Sequence, residues 1–86
     1  MPVSAPAAVD VTVRYWAGAR AAAGVDEESL PGTTVAAVLD AAVTAHPALA
    51  PVLEVASVLV DGVVAEPART LAPGETLEVL PPFAGG

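Results

Sequence analysis

A single amphipathic helix lies between two groups of strand-like segments, and this order restricts the fold of the 86-residue chain more than any other feature. Between Val35 and His46 the apolar residues recur at i, i+3, i+4, i+7 and i+8, the spacing of one helix face. Thr33 or Thr34 is suited to cap its start. Pro47 disfavours helical geometry at the residue before it, so we expect the helix to end at His46 and a short second helix or turn to follow.

The segment before this helix alternates strictly between apolar and polar residues. This period of two predicts a half-buried strand over Val9–Trp16, with the valines inward and Trp16 on the other face. Ala17–Gly24 favours a turn or one to two helical turns. Val25–Leu30 resembles a weak edge strand, because its three consecutive acids oppose pairing with other chains. Pro31 and Gly32 are expected to interrupt the pattern.

A hairpin and one further strand are predicted after the helix. Asp61-Gly62 stands between two valine-rich runs, and this pair is typical of a two-residue type I′ turn. Pro73-Gly74 favours another turn. Thr76–Leu80 reads as the final strand, which Pro81 and Pro82 end because proline cannot donate a ladder hydrogen bond.

This element order predicts an α+β domain over residues 9–82, with a mixed sheet of four to five strands and one main helix packed across it. The first and last strands are expected to be parallel neighbours. Residues 1–8 are interpreted as a flexible leader and residues 83–86 as a flexible tail. The predicted core consists of Val11, Val13, Val35, Val38, Leu39, Val43, Leu59 and Leu77.

Composition excludes several kinds of chemistry. The chain has no cysteine and one histidine, which argues against thiolate nucleophiles, catalytic triads and zinc sites, so we expect no metal. Its net charge of −7, with three arginines and no lysine, opposes binding to nucleic acid or anionic membranes. Basic patches on other proteins are better partners. No apolar run is long enough to span a bilayer and no secretory signal is evident, which favours the cytoplasm.

The sequence ends in Pro81-Pro82-Phe83-Ala84-Gly85-Gly86. One interpretation is a frayed end without function, since glycine is common in such segments. The other is a reactive arm: the prolines stiffen it, and Pro82 to Gly86 reach about 17 Å when extended. Because glycine has no Cβ, the last two residues can enter a channel too narrow for other side chains and deliver the Gly86 carboxylate.

Several of these features together resemble the β-grasp, ubiquitin-like sulfur carriers, and in particular the small subunit of molybdopterin synthase. The likeness covers about residues 9–86. It rests on the opening strand Val11–Ala17 running into Arg20 and Gly24, the Val60–Gly62 turn, the Leu71–Glu75 turn, and the ending Pro81–Gly86. The proline pair before the diglycine favours the molybdopterin branch over the thiazole branch.

The resemblance implies a β-grasp fold and a carrier role in molybdenum cofactor biosynthesis. An activating enzyme would use ATP to adenylate Gly86, and a persulfide donor would convert it to a thiocarboxylate, leaving a covalent 1-thioglycine. The large synthase subunit would accept the tail, supply the catalytic groups and transfer sulfur to cyclic pyranopterin monophosphate. It also implies a heterotetramer of two small and two large subunits, no bound cofactor, and a small subunit that is not itself an enzyme.

The predicted site therefore consists of reacting and partner-binding residues. Gly86 and Gly85 carry the chemistry, and the expected partner contacts are Trp16, Leu80, Pro81, Pro82, Phe83 and Ala84. Trp16, Leu80 and Phe83 are expected to form one exposed apolar patch beside the tail. Three alternatives stay open: a carrier for thiazole or cysteine synthesis, a ubiquitin-like modifier of lysines, and a simple β-grasp binding module.

Overall fold

The computed structural model describes residues 9–82, so the predicted leader (1–8) and tail (83–86) lie outside the described residues. Five strands and three helices follow one another in this part of the chain. The strands are β1 (Val9–Tyr15), β2 (Glu27–Gly32), β3 (Ser57–Val60), β4 (Val63–Val64) and β5 (Thr76–Leu80). The helices are α1 (Ala17–Ala23), α2 (Val35–Ala45) and α3 (Leu49–Leu53).

The strands form one mixed sheet in the order β2-β1-β5-β3-β4. β1 and β5 are parallel neighbours in the middle, with Val13 opposite Leu77 and Tyr15 opposite Val79. The other pairings, β1–β2, β3–β5 and β3–β4, are antiparallel. The predicted α+β β-grasp architecture is therefore confirmed, with five strands and with α2 as the longest helix.

One face of the sheet is covered by the helices and holds the core. The odd-numbered residues of β1 point into it, as their alternation predicted, and α2 adds Val35, Val38 and Ala42. The fully buried large side chains are Leu49, Leu77, Val11, Val13, Val35, Val38, Val60 and Val79. The opposite face of the sheet, which we call the open face, carries the alternate residues of each strand.

Three of the eight predicted core residues are not fully buried. Leu59 alternates with the buried Val60, so it lies on the open face and the prediction for it was wrong. Leu39 and Val43 pack against the core from α2 but are only partly buried.

β2 begins and ends two residues later than predicted and includes Pro31 and Gly32, which were wrongly expected to interrupt it. It is an edge strand, as predicted, and an edge position tolerates proline. Gly32 lies against α2: a Cβ there would stand 2.5 Å from Val38 Cγ2 and 2.8 Å from the Val38 backbone nitrogen. The close approach of β2 and α2 therefore requires glycine.

The predicted ends and turns are otherwise confirmed. The Thr34 side chain accepts a hydrogen bond from the Ala37 N–H (3.2 Å) and caps α2, and His46 is the residue that ends it. Asp61 and Gly62 both have positive φ, 48° and 85°, as a type I′ turn requires.

The connection from β4 to β5 is held together by Arg69 and Glu75, a pair that we call the loop clasp. The Arg69 guanidinium donates two hydrogen bonds to the Glu75 carboxylate, at 3.0 and 2.8 Å, and the Ala72 N–H donates a third at 2.7 Å. These bonds lower the pKa of Glu75 to about 2, the Arg69 contact being the largest cause. The same loop meets the start of α2, since the Val35 N–H donates to the Arg69 carbonyl.

Candidate functional site

The predicted site residues that the structure describes gather where β1 and β5 end side by side. The backbone N–H of Trp16 donates to the Val79 carbonyl (3.2 Å), which continues the parallel pairing one step past Tyr15. Leu80 is the next residue of β5 and is half-buried on the open face; Pro81 and Pro82 follow it out of the sheet. Trp16 is thus brought next to the point where the chain leaves the sheet.

Two side chains on the open face hold the Trp16 indole. Its Nε1–H donates to Glu78 Oε2 at 3.2 Å, and the Arg14 guanidinium carbon lies 5.0 Å from the ring centroid. An arginine at this distance attracts the ring face by about 0.5–1 kcal/mol at an exposed site. Trp16 remains 40% exposed, so the ring is oriented from two sides yet available for a contact.

The backbone turns sharply immediately after Trp16. Ala17 has φ 49°, in the left-handed region that costs a residue with a Cβ roughly 1–2 kcal/mol. Tyr15 and Trp16 are extended, and α1 starts within this turn. The strain falls at the residue that directs the chain away from the exposed indole.

Further apolar side chains share the open face. The register places Leu59 opposite Glu78 and opposite Val64 of β4, so both project to the same side as Trp16 and Leu80. Val64 is 73% exposed. With Trp16 and Leu80, these residues place four apolar side chains on the open face, on the same side of the sheet as Glu78.

A polar pocket of about 170 Å³ adjoins the indole. Arg14, Tyr15, Trp16, Arg20, Asp26 and Glu27 line it. Its ion pairs are long and exposed: Arg14 Nε lies 3.8 Å from Glu27 Oε1, and Arg20 Nε lies 3.7 Å from Asp26 Oδ1. Pairs of this kind stabilise a fold by little, so the guanidinium groups keep donors available to a partner.

Beneath the end of β1, three side chains form a hydrogen-bonded cluster. Glu28 Oε2 accepts from the Tyr15 hydroxyl at 2.6 Å and lies 2.7 Å from His46 Nε2. Burial, followed by the hydrogen bond and charge of Glu28, raises the pKa of Tyr15 well above its usual value. The cluster joins β1, β2 and the end of α2, which assigns His46 a structural contact, and the Glu28 carboxylate within it is partly buried.

The site is therefore described in part. Trp16, Leu80, Pro81 and Pro82 lie at the neighbouring ends of β1 and β5, whereas Phe83, Ala84, Gly85 and Gly86 lie outside the described residues; the roles of all eight stay predictions. Sequence reasoning did not find Glu78, Leu59 or Val64. Strand register places these three side chains on one face of the sheet. In the sequence, only the Asp61-Gly62 turn indicated part of that register, the pairing of β3 with β4. Within residues 9–82 there is no cluster of potential metal ligands and no helix long and apolar enough to cross a membrane.

The fold and the strand-end geometry define a ubiquitin-like carrier or modifier of the β-grasp class. The ThiS family model matches residues 13–86, and the chain belongs to this family. Its members are small sulfur carriers and are not themselves catalysts. No curated protein sequence is significantly similar to the chain.

Solved structures agree with this assignment. SAMP1 from Haloferax volcanii is 30% identical with a TM-score of 0.82, covering 90% of this chain and 99% of its own. A putative molybdopterin converting factor subunit 1 from Pyrococcus furiosus is 27% identical with a TM-score of 0.78, covering 87% and 99%. A Helicobacter pylori complex of subunits 1 and 2 of molybdopterin-converting factor matches at 19% identity, 91% and 100% coverage and a TM-score of 0.69, a likeness of fold.

Proposed function

We propose that this protein is the sulfur-carrying small subunit of a molybdopterin synthase and that Gly86 is the residue that carries the sulfur. The observation that carries the proposal is the pairing of β1 with β5, which sets the oriented indole of Trp16 beside the residues that lead to Gly86. A partner that binds the open face would thereby hold the tail in a fixed position. The proline pair Pro81-Pro82 supports the molybdopterin branch.

The proposed cycle uses the carboxylate of Gly86. Its oxygen attacks the α-phosphorus of ATP in the activating enzyme and releases pyrophosphate, which leaves an acyl adenylate. The outer sulfur of a persulfide then displaces AMP and forms a C–S bond, which gives an acyl disulfide. A thiol cleaves the S–S bond that came from the persulfide and releases the thiocarboxylate and a disulfide. Because the chain has no cysteine, no thiol of its own competes for the sulfur. The large subunit supplies the groups that transfer sulfur to the pyranopterin.

Mass spectrometry of the protein purified from its host tests the first half of the cycle. The expected result is a C-terminal peptide whose mass has increased by the exchange of one oxygen for one sulfur. The same species should form in vitro with ATP, the activating enzyme and a persulfide donor. A chain that is never thiolated under either condition contradicts the proposal.

Two tail variants test whether Gly86 and Gly85 act as proposed. Deleting Gly86 moves the carboxylate back by about 3.3–3.6 Å, and misplacement of about 1 Å can cost roughly a hundredfold in rate. Gly85→Val adds a branched side chain where the channel would accept only main chain. Both should abolish sulfur transfer in the reconstituted synthase and leave the melting temperature unchanged. Parental dithiolene formation by the deletion variant would overturn the carrier assignment.

A protein modifier is the second candidate, and the likeness to SAMP1, described as a small archaeal modifier protein, favours it specifically. A modifier needs the same adenylated tail but transfers it to lysine. Because this chain has no lysine, it cannot be its own acceptor. Tagged protein expressed in its host distinguishes the two: isopeptide-linked Gly86 on other proteins supports the modifier, and thiocarboxylate without conjugates supports the carrier. Deleting the gene for this protein distinguishes a molybdopterin carrier from a carrier for thiazole or cysteine synthesis, because only the product of the pathway that the protein serves is lost.

A further inference from the structure

An open groove runs along the helical layer, on the side of the molecule opposite the open face. Its volume is about 320 Å³. Ala36, Leu39, Asp40 and Val43 form one wall at the i, i+3, i+4, i+7 spacing of α2. Ala50 and Leu53 of α3, together with Glu54 that caps its C-terminal end, form the other. Pro67 lies at the end near Ala36, whose N–H donates to the Pro67 carbonyl.

Part of the apolar side of α2 is not covered by the rest of the protein. Val35, Val38 and Ala42 are completely buried against the sheet, whereas Leu39 and Val43 on the groove side remain half-exposed. Leu53 on the facing wall is also only partly covered. Large apolar side chains on both walls therefore stay in contact with water, which is unfavourable unless another surface covers them.

The charges beside the groove have one sign. Asp40 and Glu54 are exposed, one on each wall. All three arginines pair with other acids, in the contacts Arg14–Glu27, Arg20–Asp26 and Arg69–Glu75, and His46 pairs with Glu28. Within residues 9–82, neither groove carboxylate has an intramolecular cation to neutralise it.

We propose that this groove binds an amphipathic helix of a partner protein, with large apolar residues on one face and lysine or arginine on both flanks. The apolar anchors would cover Leu39, Val43 and Leu53, and the cations would reach Asp40 and Glu54 on opposite walls. Charge complementarity selects this occupant: a second copy of the chain, at net charge −7, would bring acids against acids. The surface is separate from the open face, so it does not depend on the proposed sulfur chemistry.

The test uses the full-length ¹⁵N-labelled protein and a synthetic helical peptide of roughly 14 residues, with leucines at i, i+3, i+4 and i+7 and lysines on both flanks. Saturable amide shifts are expected at Leu39, Val43 and Leu53, with affinity that falls as salt is added. The variant Asp40→Asn/Glu54→Gln should weaken binding about fivefold or more. The matched control Asp10→Asn/Glu27→Gln removes two exposed acids of the sheet and should change affinity by less than about twofold.

Several results would overturn the proposal. One is the absence of shifts at about 1 mM peptide, well above the range expected for a specific contact. Another is equal binding of a peptide whose lysines are replaced by glutamates. Amide shifts confined to the open face would show that the peptide does not bind the groove. Self-association that protects the groove as protein concentration rises would show that a second copy of the chain occupies it. All four substituted side chains are exposed, so the variants should keep the parental spectrum outside the sites of change.

Discussion

At the scale of single residues, Trp16 has the environment of a binding anchor: its indole is partly exposed, yet Arg14 and Glu78 restrict its orientation. Aromatic anchors at interface centres commonly cost 2 kcal/mol or more when truncated. We expect Trp16→Ala to weaken binding to the large synthase subunit that we propose as the partner by at least that amount, measured by calorimetry, while Trp16→Phe loses less. Parental affinity in the alanine variant would remove the open face from the interface.

Loss of the Glu28 side chain should lower the free energy of unfolding, because Glu28 is the common partner of Tyr15 and His46 in the hydrogen-bonded cluster. Glu28→Ala removes the acceptor of the Tyr15 hydroxyl, and a buried donor without a partner costs about 1–3 kcal/mol. Glu27→Ala, one position earlier and exposed, should stay within about 0.5 kcal/mol of the parent. Urea unfolding of both variants measures the difference; equal effects would show that the cluster does not stabilise the fold.

At the scale of the elements, the contact between β2 and α2 depends on the absence of a side chain at Gly32. Gly32→Ala forces a Cβ against the backbone of Val38, so we expect a loss of about 1–3 kcal/mol in unfolding free energy. Gly18→Ala in α1 is the matched control, because its Cβ would meet nothing within 4 Å and a helix favours alanine. That variant should be more stable than the parent by up to about 1 kcal/mol.

Core-facing side chains of the sheet are more deeply buried than those on the outer side of α2. Truncating one side chain of each kind to alanine should therefore lower the unfolding free energy by different amounts. Leu77→Ala on β5 removes a completely buried side chain and should cost about 2–5 kcal/mol. Leu39→Ala, a residue first expected in the core, should cost well under half as much because its side chain is half-exposed. Chemical denaturation of the two variants gives the comparison, and a larger loss for Leu39 would contradict the observed packing.

The strands and helices differ in how much of their structure the sequence alone predicts. Strict alternation in β1 determined which face is buried, and Asp61-Gly62 determined the hairpin. β3 could not be read in this way, because Val58, Leu59 and Val60 are all apolar and either face could have been inward. Helix spacing identified the apolar side of α2 but not which of its apolar residues would be only partly buried.

The contact that organises the site was beyond sequence reasoning for a related reason. Trp16 and Glu78 are 62 positions apart, and they meet only because β1 and β5 pair in one particular register. Pattern arguments suggested the neighbouring strands but gave no residue-to-residue alignment. The residues that we propose to react, by contrast, were identified from a terminal motif and a family resemblance.

At the scale of the whole molecule, acid should weaken the fold through the loop clasp. The pKa of Glu75 is about 2 in the folded protein against an ordinary 4.5, so its stabilising contribution is present above pH 4.5 and is lost as pH falls toward 2. Glu75→Gln should flatten the decline of unfolding free energy over that range. Glu54→Gln, which removes one exposed charge elsewhere, should leave the slope close to that of the parent.

The parallel pair in the middle of the sheet also bears on how the protein is made. β5 is the last of the elements within residues 9–82, so a ribosome produces β1, β2, β3 and β4 before the strand that joins them. Until Thr76–Leu80 is synthesised, the strand pairs β1–β2 and β3–β4 have no strand between them. Closing the sheet must then bring segments that are distant in sequence together in one step. A chain interrupted before β5 therefore lacks both the folded domain and the end that we propose to carry sulfur, so the activating enzyme that we propose would act only on chains whose sheet can close.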